Sequence, residues 1–205
     1  MKQLTLGLVV ISFLMAGCIA PPKSSRKTSL FNGRDLTGWV AMHGGEWTVS
    51  EHSIIGRNGV DWTTNPEKSG SWLRTEKSYR DFELELEYSI NAKGNSGVFF
   101  HSGLDKNPAF TGHEVQILDD HGKEPKKYTS GSLYDVVAPS KNMSRPAGEW
   151  NQLTIRCQAN RVTVTLNGTI IVQHDSQRNL EGYIGLQNHD AQAVVEFRNL
   201  WIREL

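Results

Sequence analysis

Seven consecutive residues, Phe82 to Tyr88, alternate without a break between ring or leucine side chains and glutamates. Side chains along a strand point to opposite faces in turn, so Phe82, Leu84, Leu86 and Tyr88 share one face and Glu83, Glu85 and Glu87 the other. The segment is therefore a half-buried strand with one wet face. Val162 to Leu166 repeats the pattern and runs into Asn167-Gly168, the strongest short hairpin signal, before Thr169 to Val172 returns. Further strands are expected at 45–50, 53–57, 72–74, 96–101, 113–118, 131–136, 150–157, 182–187 and 193–203. No segment sustains a helical period. Many short strands joined by turns make an antiparallel β-sandwich or jelly roll.

The N-terminus reads differently. Lys2 precedes an apolar run, Leu4 to Ala16, too short to span a bilayer comfortably. Met15-Ala16-Gly17-Cys18 comes next, a pattern that suits cleavage ahead of a lipidated cysteine. The expected organisation is a signal peptide over 1–17, lipidated Cys18 with a Pro-, Ser- and Lys-rich tether to 29, and one domain over 30–205. Such a chain is an exported lipoprotein of the cell envelope, with membrane partnership through Cys18. Ile19 supplies no acidic retention residue, which favours an outer membrane. Lipidating Cys18 leaves Cys157 as the second of two cysteines, alternating with Leu153 and Ile155 as a buried thiol would. Net charge is zero, so no global field gathers nucleic acid.

Period-two arithmetic also collects polar residues. If Val115 and Ile117 face the core, Glu114 and Gln116 face away from it. Placing Val98 and Phe100 inward puts Gly97, Phe99 and His101 outward. Placing Ile184 and Leu186 inward leaves Tyr183, Gly185, Gln187 and His189 outward. Glu114, Gln116, His101, Gln187 and His189 would then share a polar groove, with Gly97 and Gly185 leaving room for a ligand. Sheets often expose a polar face to water with no further role, and Glu83, Glu85 and Glu87 fit that description. The six tryptophans raise the prospect of sugar stacking. Trp39, Trp47, Trp150 and Trp201 lie in strand patterns and read as packing, whereas Trp62, in a polar loop, is the best exposed platform.

Several ordered blocks carry a resemblance. Leu30-Phe31-Asn32-Gly33-Arg34-Asp35-Leu36-Thr37-Gly38-Trp39, Asn95-Ser96-Gly97-Val98-Phe99-Phe100, Glu114-Val115-Gln116-Ile117-Leu118-Asp119 and Gly131-Ser132-Leu133-Tyr134 come first. Pro146 to Asn151, Gly182 to Gln187 and Phe197 to Leu200 continue in the same order. Together they resemble the 3-keto-disaccharide hydrolase family across residues 30–205. The resemblance implies a concanavalin A-like jelly roll, export, and action on 3-keto-glycosides. The chain departs from the family pattern at His101, at Arg145 and at Asn188-His189-Asp190.

A C3 ketone acidifies the C2 hydrogen, so a base can form an enolate, the C1 aglycone can leave, and water can add back. That route needs no paired glycosidase carboxylates. It needs a base near C2, a donor or cation at the C3 oxygen, and an acid for the leaving oxygen. Glu114 and His189 are the expected proton-transfer residues. His101, Tyr134 or a bound divalent cation would hold the enolate oxygen, and Gln116, Asp119 and Gln187 would bind hydroxyls. A lectin-like binding module remains the alternative, since fold does not fix function. A retaining glycanase is disfavoured because Glu114 to Asp119 lacks the Glu-x-Asp-x-x-Glu carboxylates.

Overall fold

The computed structural model describes residues 26–64 and 70–205, so the signal segment and Cys18 lie outside the described residues. In chain order the strands are β1 (Thr28–Ser29), β2 (Trp39–Met42), β3 (Glu46–Ser50), β4 (Ser53–Arg57), β5 (Ser71–Tyr79), β6 (Phe82–Ile90) and β7 (Asn95–Ser102). A single turn of helix, α1 (Pro108–Thr111), precedes β8 (His113–Leu118), β9 (Asn151–Gln158), β10 (Arg161–Leu166), β11 (Thr169–Asp175), β12 (Gly182–Asn188) and β13 (Val195–Glu204). One sheet has eight strands, in the order β11-β10-β9-β6-β13-β4-β3 with β1 beside β13. The other has five, in the order β2-β5-β12-β7-β8. All pairings between these strands are antiparallel.

The expected β-sandwich is what forms, and alternation builds its core. From β6, Phe82, Leu84, Leu86, Tyr88 and Ile90 all enter the space between the sheets. Val98, Phe100, Val115, Ile117, Ile184 and Leu186 meet them from the five-stranded sheet. Each such side chain contributes about 1.5–3 kcal/mol when fully buried. Cys157 is wholly buried in the same core, and burial pushes its thiol far above the usual range. Asn167 and Gly168 turn the β10–β11 hairpin with φ of 49° and 80°, the signs a type I′ turn requires.

Two expectations need correction. Thr28 and Ser29 are strand, not tether: β4 pairs with β13 at Val195–Phe197, and β1 pairs with Trp201 and Ile202 further along. Residues 131–136 are not a continuous strand. Leu133 alone bridges to Val115 and Val137, because the chain reverses at Asp135, whose φ is 58°.

Candidate active site

The site lies on the outer face of the five-stranded sheet, and register explains why. Phe99 pairs with Glu114, Gly97 with Gln116, and Gln187 with Trp72. These positions all point away from Val98, Val115, Ile117 and Leu186, which are buried in the core. Part of this outer face is filled by a second apolar cluster of Trp72, Phe99 and Ala109. Beside that cluster opens a cleft of about 320 Å3, counting its mouth, walled by Trp62, Asn107, Phe110, Tyr134, Gln187 and His189. Asn95, Glu114 and Gln116 also line it.

Glu114 is 3% exposed, and burial raises its carboxyl to about 8. Its oxygen occupies the space above Gly97: a Cβ there would stand 2.1 Å from Oε1. Gly97 therefore makes room for a protein carboxyl, not a ligand. Gly185 likewise makes room for the Trp72 ring, 2.4 Å from where its Cβ would be. With its amide nitrogen turned inward, Gln116 donates to the Ser96 carbonyl at 2.9 Å and to Glu114 Oε1 at 3.1 Å. The Tyr134 backbone N–H donates to the Glu114 carbonyl at 2.9 Å, which brings the phenol alongside. Burial first, then the neighbouring Glu114, raises the Tyr134 phenol, so it stays a proton donor.

His189 lines the cleft from just past the end of β12, with β7 between it and the Glu114 strand. Its Nδ1 lies 2.8 Å from Asp190 Oδ2. Partial burial pushes Asp190 up, but hydrogen bonds from His189 and from the Gln192 and Ala193 amides outweigh it and hold the carboxyl below its usual range. An ionised Asp190 accepts Nδ1–H, which leaves Nε2 as the basic nitrogen. Asn95 Oδ1 and Gln187 Oε1 are buried without a partner. A buried acceptor left unpaired costs about 1–3 kcal/mol, and both belong to the cleft lining, where ligand hydroxyls would satisfy them.

Five of the seven expected residues thus come together: Glu114, Gln116, Tyr134, Gln187 and His189. His101 does not join them. An extra residue in β7, between its pairings of Phe99 with Gly185 and Ser102 with Tyr183, shifts the alternation at His101, whose φ is 53°. Its ring packs on Phe82 and Phe100, Nε2 donates to the Arg80 carbonyl at 2.7 Å, and burial lowers its pKa. Asp119 is also elsewhere, accepting the Lys93 amide at 2.9 Å in the β6–β7 turn region. Trp62, expected as an exposed platform, is half-buried in the cleft lining, edge-on to Phe110 at 6.4 Å. Sequence reasoning misses Asn95, Asn107 and Phe110. Asn107-Pro108 is a visible start signal for α1: the Asn107 side chain accepts the Ala109 amide at 3.0 Å. Among the described residues no group of three or more His, Cys, Asp or Glu is placed to hold a metal ion.

Comparison with known proteins agrees with this fold. The profile of the 3-keto-alpha-glucoside-1,2-lyase-like domain matches residues 26–203, nearly the whole chain. The chain belongs to that family. A 3-keto-disaccharide hydrolase from Bacteroides thetaiotaomicron is 25% identical to this family member over 229 aligned residues, covering 86% of this chain and 78% of its own. A crystal structure from Parabacteroides distasonis, named as a glycosyl hydrolase, superposes with a TM-score of 0.72 at 26% identity, covering 87% of this chain and 94% of that one. The carbohydrate-binding module CBM66 from Bacillus subtilis shares the fold, with a TM-score of 0.59 at 18% identity over 82% of this chain and 96% of its own. Family membership supports glycoside cleavage. The cleft of this family member is lined by the titratable side chains of Glu114, Tyr134 and His189.

Proposed function

We propose that this protein cleaves 3-keto-glycosides by removing the C2 proton, expelling the C1 aglycone and hydrating the product. The observation that carries the reading is the contrast across the cleft between a buried, protonated Glu114 and a His189 whose Nδ1 is committed to Asp190. In the first half, His189 Nε2 takes the C2 proton and the electron pair delocalises onto the C3 oxygen as an enolate. The enolate then collapses: C3=O reforms, C1=C2 forms, and the C1–O bond breaks as the Glu114 carboxyl protonates the departing oxygen. In the second half, Glu114 carboxylate takes a proton from the water that attacks C1, and His189, its Nε2 proton exchanged with the solvent that enters as the aglycone leaves, protonates C2. Both residues end as they began. Tyr134 is the phenol donor for the C3 oxygen, the role for which His101 is misplaced, while Asn95 and Gln187 accept from sugar hydroxyls.

The family description names a 1,2-lyase and the Bacteroides thetaiotaomicron relative is named a hydrolase. Elimination and then hydration joins the two. Incubating the protein with a 3-keto-disaccharide and with its unoxidised parent tests the reading. Monosaccharide release from the keto form alone is expected. Saturable binding of either sugar without release would make the chain a binding module instead. We also propose membrane anchoring through lipidated Cys18, with β1 bringing the N-terminal side onto the sheet opposite the cleft. Palmitate labelling that is lost in Cys18→Ser is the expected result, and an unlabelled wild type would exclude the anchor.

A further inference from the structure

Three aromatic side chains at the cleft make successive ring contacts. Phe110 lies 6.3 Å from Tyr134, and Tyr134 lies 5.4 Å from Tyr128, centroid to centroid. Trp62 adds a fourth ring, 6.4 Å from Phe110. These spacings are those of rings in mutual contact. Phe110 is 44% exposed and Tyr128 51%. Among the described residues the other large exposed aromatic is Trp201, which lies on the opposite sheet. Two of the three large exposed aromatic rings among the described residues therefore belong to this one series of contacts beside the cleft.

The strip is also held in place. The Arg178 guanidinium donates from Nη1 to the carbonyls of Ala109 at 2.6 Å and Gly112 at 2.9 Å, bracing the short turn that carries Phe110. Tyr128 Oη donates to Asp135 Oδ1 at 2.9 Å, which orients its ring. A preorganised flat surface spends little entropy on binding. Its position relative to Glu114 gives it a direction. Tyr134 stands beside Glu114, and both Phe110 and Tyr128 contact the Tyr134 ring. A group departing from C1 toward Glu114 would lie on these rings.

We propose that Phe110 and Tyr128, the two rings in contact with Tyr134, form the leaving-group subsite, selecting glycosides whose aglycone presents a flat face, as a second pyranose or an aryl ring does. The inference rests on the proposed action on 3-keto-glycosides. Its test compares kcat/KM for methyl, glucosyl and 4-nitrophenyl 3-keto-glucosides. The measured quantity is the preference for a ring-bearing aglycone over methyl, which removes differences in overall activity. That preference is expected to fall about tenfold in Phe110→Ala and in Tyr128→Ala. Tyr128→Phe keeps the ring and should keep the preference. The glucosyl and nitrophenyl arms identify which flat face the strip takes. A preference unchanged in both alanine variants overturns the subsite. If no keto-glucoside is cleaved, the proposed chemistry fails, and the strip is judged by binding of unoxidised 4-nitrophenyl glucoside. Saturable binding that Phe110→Ala abolishes supports it; no binding, or equal binding of methyl glucoside, overturns it.

Discussion

Each outer face of this sandwich carries glutamate on an alternating strand stretch, Glu83, Glu85 and Glu87 on β6 and Glu114 on β8, and the two faces treat it in opposite ways. On the eight-stranded sheet, Glu83 meets Arg156 at 2.9 Å and Arg203 at 2.6 Å, and Glu87 meets Arg198 at 2.6 Å. Partial burial pushes both carboxyls up, but those arginine hydrogen bonds outweigh it and hold them below their usual range. On the five-stranded sheet, no arginine or lysine offsets the burial of Glu114, and burial alone raises it to about 8. The difference lies in cover, not in strand pattern. α1 and residues 131–134 fold over the β8 side of the smaller sheet, whereas the glutamates of the larger sheet stay within reach of cross-strand cations. A carboxyl shut away without a counter-charge is poised for proton transfer; one in an ion pair is committed to structure.

Substitution should separate the faces most widely in turnover. Glu114→Gln and His189→Ala are each expected to slow cleavage of a 3-keto-disaccharide by about 10²–10⁴-fold, while Glu83→Gln stays close to wild type. Equal losses from Glu83→Gln and Glu114→Gln would erase the contrast.

A smaller effect should appear in stability. The Glu114 carboxyl stays protonated in the fold until about pH 8, against an ordinary value of 4.5 when unfolded. Its contribution is thus fully present below pH 4.5 and is lost as pH rises to about 8. Denaturant unfolding from pH 5 to 8 should show wild type losing on the order of a few kcal/mol relative to Glu114→Gln. Parallel curves for the two proteins would mean that Glu114 is solvated.

The smallest effect belongs to the larger sheet. Lys27 and Glu85 pair at 2.6 Å with side chains 45% and 41% exposed. Glu85→Gln is expected to cost about 0–1 kcal/mol, and 1 M salt should remove most of that difference. A larger, salt-resistant loss of melting temperature would show that this face is more than a solvated surface.

The fold is legible because alternation is a direct record of a two-faced sheet: Phe82 to Tyr88 and the Asn167-Gly168 turn read as strand and hairpin and fold as such. The Glu114 and Gln116 placement is legible for the same reason, since Val115 and Ile117 could only face the core. His101 fails where the period itself fails. One extra residue in β7 reverses the facing of the strand beyond it, and nothing local in Phe100-His101-Ser102 announces the bulge. Asp119 fails because it stands just past the end of β8, where alternation no longer assigns a face. Tyr134 is reached only through the family resemblance, because its place depends on an irregular segment bridged to β8 through Leu133. Phe110 and Asn95 escape sequence reasoning, since neither a lone exposed ring nor a strand-end amide is distinctive until the fold brings them to one cleft.

The central claim is that the reaction begins with the C2 proton, and an isotope at that position tests it most directly. A 3-keto-disaccharide carrying deuterium at C2 of the oxidised ring would be cleaved in ordinary water, under conditions where the free keto-sugar does not exchange. Elimination predicts that the released keto-sugar carries hydrogen at C2, and that cleavage of the labelled substrate is slowed if proton removal limits the rate. Release of keto-sugar with its C2 deuterium retained would contradict the account, even with hydrolysis itself confirmed.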